Sequence, residues 1–307
     1  MAELGPDWWD APTSTPEVLL DCHAVIGESP TWSAAEHALY WIDVKQPALH
    51  RLGPDGGRRL WHLPSDIGAF ALTQGGQGAV VALRTGIFRL AFNTGEASLL
   101  APPPFDPGLF RFNEGICDAA GRFLVGVMYD PLPGQSAPGT TAAMQRFTLS
   151  DGLVDTHDWS DLHNGFAWSA DGSEFFWSHS YAGDVYRADY DAATGRLGPA
   201  RPFLDMHTHG ALPDGAAIDE HGCYWCAIHG AGVLHRYDPA GTLLTSIPLP
   251  VRQPTMCCFV GPELDAMVVT SAADKLSPAQ VREQPHAGAL FRLRPGVRGL
   301  PRPYVVR

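Results

Sequence analysis

The sequence predicts an all-β fold, a six-bladed β-propeller forming a single domain over residues 1–307. Six segments align on one template without gaps, opening at Glu28, Gly68, Asn113, Asn164, Asp214 and Thr255. The fifth position of every segment is apolar: Trp32, Leu72, Cys117, Trp168, Ile218 and Phe259. The segments recur about every 40 to 50 residues, with short strand patterns and turn residues between them, which is how propeller repeats read.

Residues 1–15 are polar, acidic and Pro-rich, unlike a signal peptide or a membrane span, and are expected to lie over the surface as an extension. Residues 17–25 have strand character ahead of the first repeat and are expected to complete the last blade, removing a sheet edge. Second strands are expected at Ala38–Asp43 and at residues 79–83, 122–127, 174–178, 223–227 and 266–270. Third strands follow at Ala48–Leu52, at Val233–Tyr237 and at residues 86–90, 144–148, 185–189 and 289–293. Turns such as Pro54-Asp-Gly and Pro239-Ala-Gly come after them, and no long amphipathic helix is expected.

Net charge is −12, with the acidic residues scattered. Phosphate binding needs clustered Lys and Arg, so nucleic acid and anionic membrane are excluded as partners and a neutral or cationic small molecule is favoured. The six cysteines suggest no disulfide framework in a chain of this length. Cys223 and Cys226 fall in one strand at an odd spacing, on opposite faces, and are read as core. His207 and His209 make an H-x-H, but in a loop, where spacing imposes no common face.

The first strand of each propeller blade lines the channel, so Glu28, Gly68, Asn113, Asn164, Asp214 and Thr255 are expected to form one ring. Two carboxylates and two amides converging there call for a cation. Strand direction then puts the loops between second and third strands on the metal side, making His179 and His229 candidate pocket groups that hydrogen-bond substrate or relay a proton. The chain has no G-x-S-x-G elbow, no phosphate-cradling glycine loop and no H-E-x-x-H, so ester-type hydrolysis would have to be metal-assisted.

Over about residues 17–299 the chain resembles the gluconolactonase, regucalcin and senescence-marker-protein family of six-bladed propellers. The motifs are Gly27-Glu-Ser-Pro-Thr-Trp with Tyr40-Trp-Ile-Asp, Arg111-Phe-Asn-Glu-Gly with Asp118-Ala-Ala-Gly-Arg, and Asn164-Gly-Phe-Ala-Trp-Ser-Ala-Asp-Gly with Tyr190-Asp-Ala-Ala-Thr-Gly. Pro213-Asp-Gly with Gly222-Cys-Tyr-Trp and Pro254-Thr-Met-Cys-Cys-Phe before Val269-Thr-Ser-Ala complete the series. The resemblance implies a cytoplasmic hydrolase, monomeric or weakly homo-oligomeric, that opens sugar lactones to aldonic acids. It also implies one divalent ion (calcium, zinc, manganese or iron(II)) on Glu28, Asn164 and Asp214. Asn113 would lie near the ion or contact substrate, and Arg111 would contact substrate; the chemistry of such a ring would make Asp214 the general base as well as a ligand. Where relatives often carry an acidic residue against sugar hydroxyls this chain reads Met128-Tyr-Asp-Pro, leaving Asp130 or Tyr129 for that place. The alternatives are a calcium-binding regulator without turnover and a propeller hydrolase of phosphotriesters or other lactones.

Overall fold

The structure is a computed structural model that describes Leu4 and residues 7–10, 13–207 and 211–303. Six sheets, one per repeat, are the blades of a six-bladed β-propeller. Blade 1 runs Gly27–Ser33, Ala38–Asp43, Ala48–Leu52, Arg58–His62, and blade 2 runs Ile67–Leu72, Gly78–Leu83, Gly86–Ala91, Ala97–Ala101. Blade 3 runs Phe110–Cys117, Phe123–Tyr129, Ala142–Thr148, Gly152–Ser160, and blade 4 runs His163–Trp168, Glu174–His179, Asp184–Asp191, Arg201–Asp205, with the short Arg196–Leu197 added. Blade 5 runs Leu212–Ile218, Tyr224–His229, Val233–Tyr237, Leu243–Pro248. Blade 6 begins with Pro254–Val260, Ala266–Ser271 and Leu290–Leu293. Its fourth strand is Glu17–Leu20, paired antiparallel to Leu290–Leu293, so the amino-terminal strand closes the last blade as expected. The one helix among the described residues is short, Pro278–Glu283, capped by Ser277.

Second strands are buried on both faces, as in Gly78–Leu83 and Ala266–Ser271, and so read as continuous apolar runs instead of alternating ones. Outer strands such as Leu243–Pro248 are mostly exposed and carry little apolar signal. All six cysteines are free thiols, and Cys223 and Cys226 are both buried.

The blades fall into two compact units, blades 1, 5 and 6 in one and blades 2, 3 and 4 in the other. In the first, an apolar cluster joins Leu19 and Leu20 to Trp32, Trp41, Val260 and Val268, and it also takes in Trp8 and Trp9. This corrects the expectation for residues 1–15. Trp8 is 3% exposed, its indole Nε1 donates to Gly53 O at 2.8 Å, and Trp9 meets Trp32 edge-to-face at 5.3 Å. Arg292 donates to Trp8 O, tying the segment to blade 6. Two tryptophans cannot stay in water beside an unfilled apolar surface, so residues 7–10 form a packed strap although residues 1–15 average polar. In the second unit, separate cores form around Phe112, Phe123 and Val125 and around Phe166, Phe175 and Trp177.

All six first strands share one irregularity. The pairing register to the second strand shifts between Glu28 and Thr31, Ile67 and Ala69, Phe112 and Gly115, Asn164 and Ala167, Pro213 and Ala216, and Pro254 and Cys257. The shift falls on the opening residue of the repeat in blades 2, 3, 5 and 6 and directly after it in blades 1 and 4, where Glu28 and Asn164 still pair with Ile42 and Ser178. Such bulges break the two-residue alternation and re-aim a side chain, which separates that residue from the core-packing pattern around it.

Candidate functional site

In the unit of blades 2 to 4, the opening residues of blades 3 and 4 are joined directly. Asn113 Nδ2 donates to Asn164 Oδ1 at 2.5 Å and to His163 O at 2.9 Å, while Asn164 Nδ2 donates to Ser180 Oγ at 3.0 Å. Both amides are thereby oriented. Asn164 Oδ1 keeps one lone pair beyond the bond from Asn113. Blade 2 contributes no side chain here, for a steric reason: a Cβ on Gly68 would lie 2.1 Å from Phe112 O.

Arg111 is buried and reaches Asn113. Its Nη1 donates to Asn113 Oδ1 at 2.7 Å and to Phe112 O at 3.0 Å, its Nε to Asp130 Oδ2 at 3.1 Å, and its Nη2 to Met128 Sδ at 2.9 Å. A guanidinium has five N–H groups, so these bonds leave one on Nη2. Asp130 Oδ2 also accepts from Arg84 Nη2 at 2.7 Å, and Arg84 in turn holds Asp66 Oδ2 at 2.9 Å and donates to the carbonyls of Pro107, Phe110 and Asp130. Two carboxylates face two guanidiniums, so the buried charge is balanced. The expected residues Arg111, Asn113, Asp130 and Asn164 are thus brought together in one hydrogen-bonded chain.

Arg84 was not anticipated, although Arg84-Thr85 is blade 2's loop between second and third strands, where the strand-direction argument looks. Glu114 is a second omission. It is buried beside Asn113, and its Oε1 accepts from Phe166 N at 3.1 Å, linking the first strands of blades 3 and 4.

His179 ends the second strand of blade 4. Its Nε2 lies 2.9 Å from Asp158 Oδ2, and the same oxygen lies 3.0 Å from Nε2 of the fully buried His163. His163 Nδ1 faces the amide of Val127 at 3.3 Å, so it accepts there and carries its hydrogen on Nε2, which donates to Asp158. Burial pushes the His163 imidazole below its ordinary range and keeps it neutral. Burial alone would raise the Asp158 carboxyl, but hydrogen bonds from His163 and His179 hold it well below the usual carboxylate range. Asp158 sits near the end of blade 3's outermost strand, where the repeat pattern is too weak to mark it.

In the unit of blades 1, 5 and 6, Glu28 and Asp214 sit at the bulges of their own first strands. Glu28 Oε2 accepts from Ser29 N at 2.7 Å. Ser29 has φ of 52°, a strained left-handed conformation for a residue with a side chain, and its buried hydroxyl has no hydrogen-bond partner among the described residues. Asp214 is 8% exposed, and its strand neighbour Gly215 has no room for a Cβ, which would lie 2.4 Å from Met256 Cγ. Thr255 is committed to structure, with Oγ1 2.5 Å from Gly27 O and 2.8 Å from Thr270 Oγ1. His229 ends the second strand of blade 5, and burial lowers its imidazole below the ordinary range. Of the H-x-H, His207 is exposed beside Asp205 at 3.2 Å, and His209 lies outside the described residues.

Six four-stranded repeats, blade 4 with a short strand added, in an all-β chain define a six-bladed β-propeller. Residues 26–273 match the family described as SMP-30/gluconolactonase/LRE-like region, and the chain belongs to that family. It is 35% identical to a 6-deoxy-6-sulfogluconolactonase from Pseudomonas putida, over 91% of this chain and 94% of that one. It is 34% identical to regucalcin from Sus scrofa, over 92% and 95%. Among solved structures, a calcium-binding regucalcin from Agrobacterium tumefaciens superposes with a TM-score of 0.85 at 25% identity, covering 100% of this chain and 99% of that one.

Proposed function

We propose that the chain is a divalent-metal-dependent hydrolase that opens sugar lactones to aldonic acids. The observation that carries the reading is the preset chain Arg111–Asn113–Asn164, which a metal buffer would not require and a substrate site would. The similarity to a sulfogluconolactonase supports the substrate class.

Glu28, Asn164 and Asp214 would hold the ion. Their chemistry fits: two carboxylates and an amide oxygen are hard donors suited to calcium, zinc, manganese or iron(II), and an orphaned hydroxyl stands beside Glu28. Bound there, the ion supplies Lewis acidity toward the lactone carbonyl and its attacking water. Asp214 takes the proton from that water. Arg111 aims its remaining N–H at the oxyanion, with Asn113 and Asp130 fixing the guanidinium. His179 and His229 complete the substrate contacts. The neutral imidazole of His229 can donate or accept a hydrogen bond to a sugar hydroxyl without bringing in charge.

Chelated protein should stay folded and lose lactonase activity in a pH-drop assay on a sugar-lactone panel, with activity restored by one of the four metals. A protein that binds calcium tightly yet hydrolyses no lactone would instead support the regulatory reading that the calcium-binding structural relative suggests. Asp214→Asn, saturated with metal, should remain about a hundredfold or more below wild type; near-wild-type turnover would reduce Asp214 to a ligand.

A further inference from the structure

Arg84 stands in the loop after Gly78–Leu83, yet its side chain is only 6% exposed, so a cation taken out of water has to be matched donor by donor. We propose that Arg84 is a positioning residue for Arg111, holding the carboxylate and the strand end that aim the Arg111 N–H group at the oxyanion. This inference rests on the lactonase reading for what that N–H meets, and adds to it the residue that sets its direction.

The donors of the two guanidiniums divide the work. Arg84 Nε donates to Asp66 Oδ2 at 3.2 Å, and Nη2 to Asp66 Oδ2 at 2.9 Å and Asp130 Oδ2 at 2.7 Å. Its Nη1 donates to the carbonyls of Pro107 at 3.1 Å, Phe110 at 3.2 Å and Asp130 at 2.9 Å. All five N–H groups are engaged, three on carboxylates and two shared among three carbonyls, so Arg84 has no donor left for a substrate. Arg111, by contrast, keeps one on Nη2.

The acceptors of Arg84 converge on Arg111 by two routes. One is covalent: Pro107 and Phe110 bracket the chain's entry into the first strand of blade 3, and Phe110 immediately precedes Arg111. The other is electrostatic: the carboxylate oxygen that Arg84 holds, Asp130 Oδ2, is the one that accepts from Arg111 Nε at 3.1 Å. Asp130 is gripped twice, by side chain and by main chain, so it cannot swing with Arg111. The ladder between the first two strands of blade 3 ends at Phe110 opposite Tyr129, one residue from Arg111, with one further backbone bond from Asp130 N to Leu109 O at 2.9 Å. Arg84 therefore clamps the end of the strand pair that carries the working guanidinium.

The clamp needs a fork. Carboxylates lie along one edge of the Arg84 guanidinium and carbonyls along the other, an arrangement a rigid planar donor satisfies and a single ammonium cannot. Lysine at this place would keep the charge facing Asp66 and Asp130 but give up most of the geometry. That separates positioning from charge balance.

The test begins with wild type on D-glucono-1,5-lactone and the wider panel, where complete inactivity overturns the lactonase reading. Positioning has its own readout, arginine side-chain ¹⁵N spectra. Wild type should show Arg111 Nε–H as a sharp, slowly exchanging signal, identified by its loss in Arg111→Ala. In folded Arg84→Lys that signal should broaden or exchange fast, and an unchanged signal overturns the proposal whether or not the protein is a lactonase. With an active wild type, Arg84→Lys should lower kcat/KM per folded molecule about tenfold or more, chiefly in kcat, with metal affinity unchanged. In the Arg111→Ala background the same substitution should cost no more than about twofold, because there is no longer a guanidinium to aim. Equal losses in both backgrounds, or a lowered melting temperature with kinetics intact, make Arg84 a structural strut and overturn the proposal. Asp66→Asn, which loosens Arg84 without touching Asp130, should give a smaller loss of the same kind, and it decides the cycle in the event that Arg84→Lys does not fold.

Discussion

The strap cluster of Trp8, Trp9 and Trp32 and the polar chain from Arg84 to Ser180 are both buried, yet different physics holds them together. The cluster is apolar area with edge-to-face rings and a single indole hydrogen bond. The polar chain is almost entirely directional: guanidinium to carboxylate, guanidinium to amide, amide to amide, amide to hydroxyl. Area burial tolerates small shifts and contributes stability. A directional chain fixes positions to a fraction of an ångström and contributes little net free energy, since desolvation offsets most of its Coulomb gain. Substitutions in the two regions should therefore separate folding from chemistry.

The sharpest version is removal of residues 1–15. It strips Trp8 and Trp9 from the core and should cost several kcal/mol, with about 3–5 kcal/mol for Trp9→Ala alone. Denaturant titration should show the loss while turnover per folded molecule stays at wild type. A wild-type unfolding midpoint would show the strap to be ornamental.

Asp130→Ala attacks the other region. It leaves Arg84 and Arg111 facing each other without their shared carboxylate, a loss of about 3–5 kcal/mol of the kind seen when one partner of a buried pair is removed. Unlike the strap deletion, it should also depress kcat, since Arg111 loses its orientation. Stability lost with kinetics intact would break the comparison.

A lesser effect is expected for Arg111→Ala. Loss of one oxyanion donor should lower kcat/KM about a hundredfold or more, with metal affinity nearly unchanged in an equilibrium titration. Unchanged kinetics across the lactone panel would make Arg111 a purely structural ion-pair partner.

The smallest effect concerns pH, in blade 5, which belongs to neither region. Burial holds His229 and His235 below the ordinary histidine range, so folding favours their neutral forms. Their contribution is complete above about pH 6.5 and is lost as pH falls from there toward the lowered folded-state values. The melting temperature should drop by a few degrees from pH 7.5 to 5.5, and less so in His235→Gln. An equal drop in that variant would exclude His235 from the effect.

The blades were legible because each first strand repeats the same apolar and polar order, and the second strands stand out as unbroken apolar runs. Closure by residues 17–25 was legible for the same reason, the strand forming at Glu17–Leu20. The strap was not, because a short segment averages polar even when two of its residues are tryptophans. Within the site, Arg111, Asn113 and Asn164 lie at fixed repeat positions and could be named from alignment, as could Asp130 by its place after a second strand. Asp158 could not. It comes from an outer strand, where the repeat is least regular, and reaches His163 and His179 only through the tertiary packing of blade 3 on blade 4.

The bulge shared by all six first strands carries a further consequence. Because the break in alternation falls on or directly after the opening residue, that side chain is exempt from the packing code governing its neighbours on the same strand. The opening position of a blade can then be rewritten by mutation with little penalty to the fold, except at Gly68, where Phe112 O closes the space, and at Thr255, whose hydroxyl is held by Gly27 O and Thr270 Oγ1. Selection is left with a short alphabet of four editable letters on an unchanging scaffold, enough for lineages to drift between ions and between substrates without passing through an unfolded ancestor.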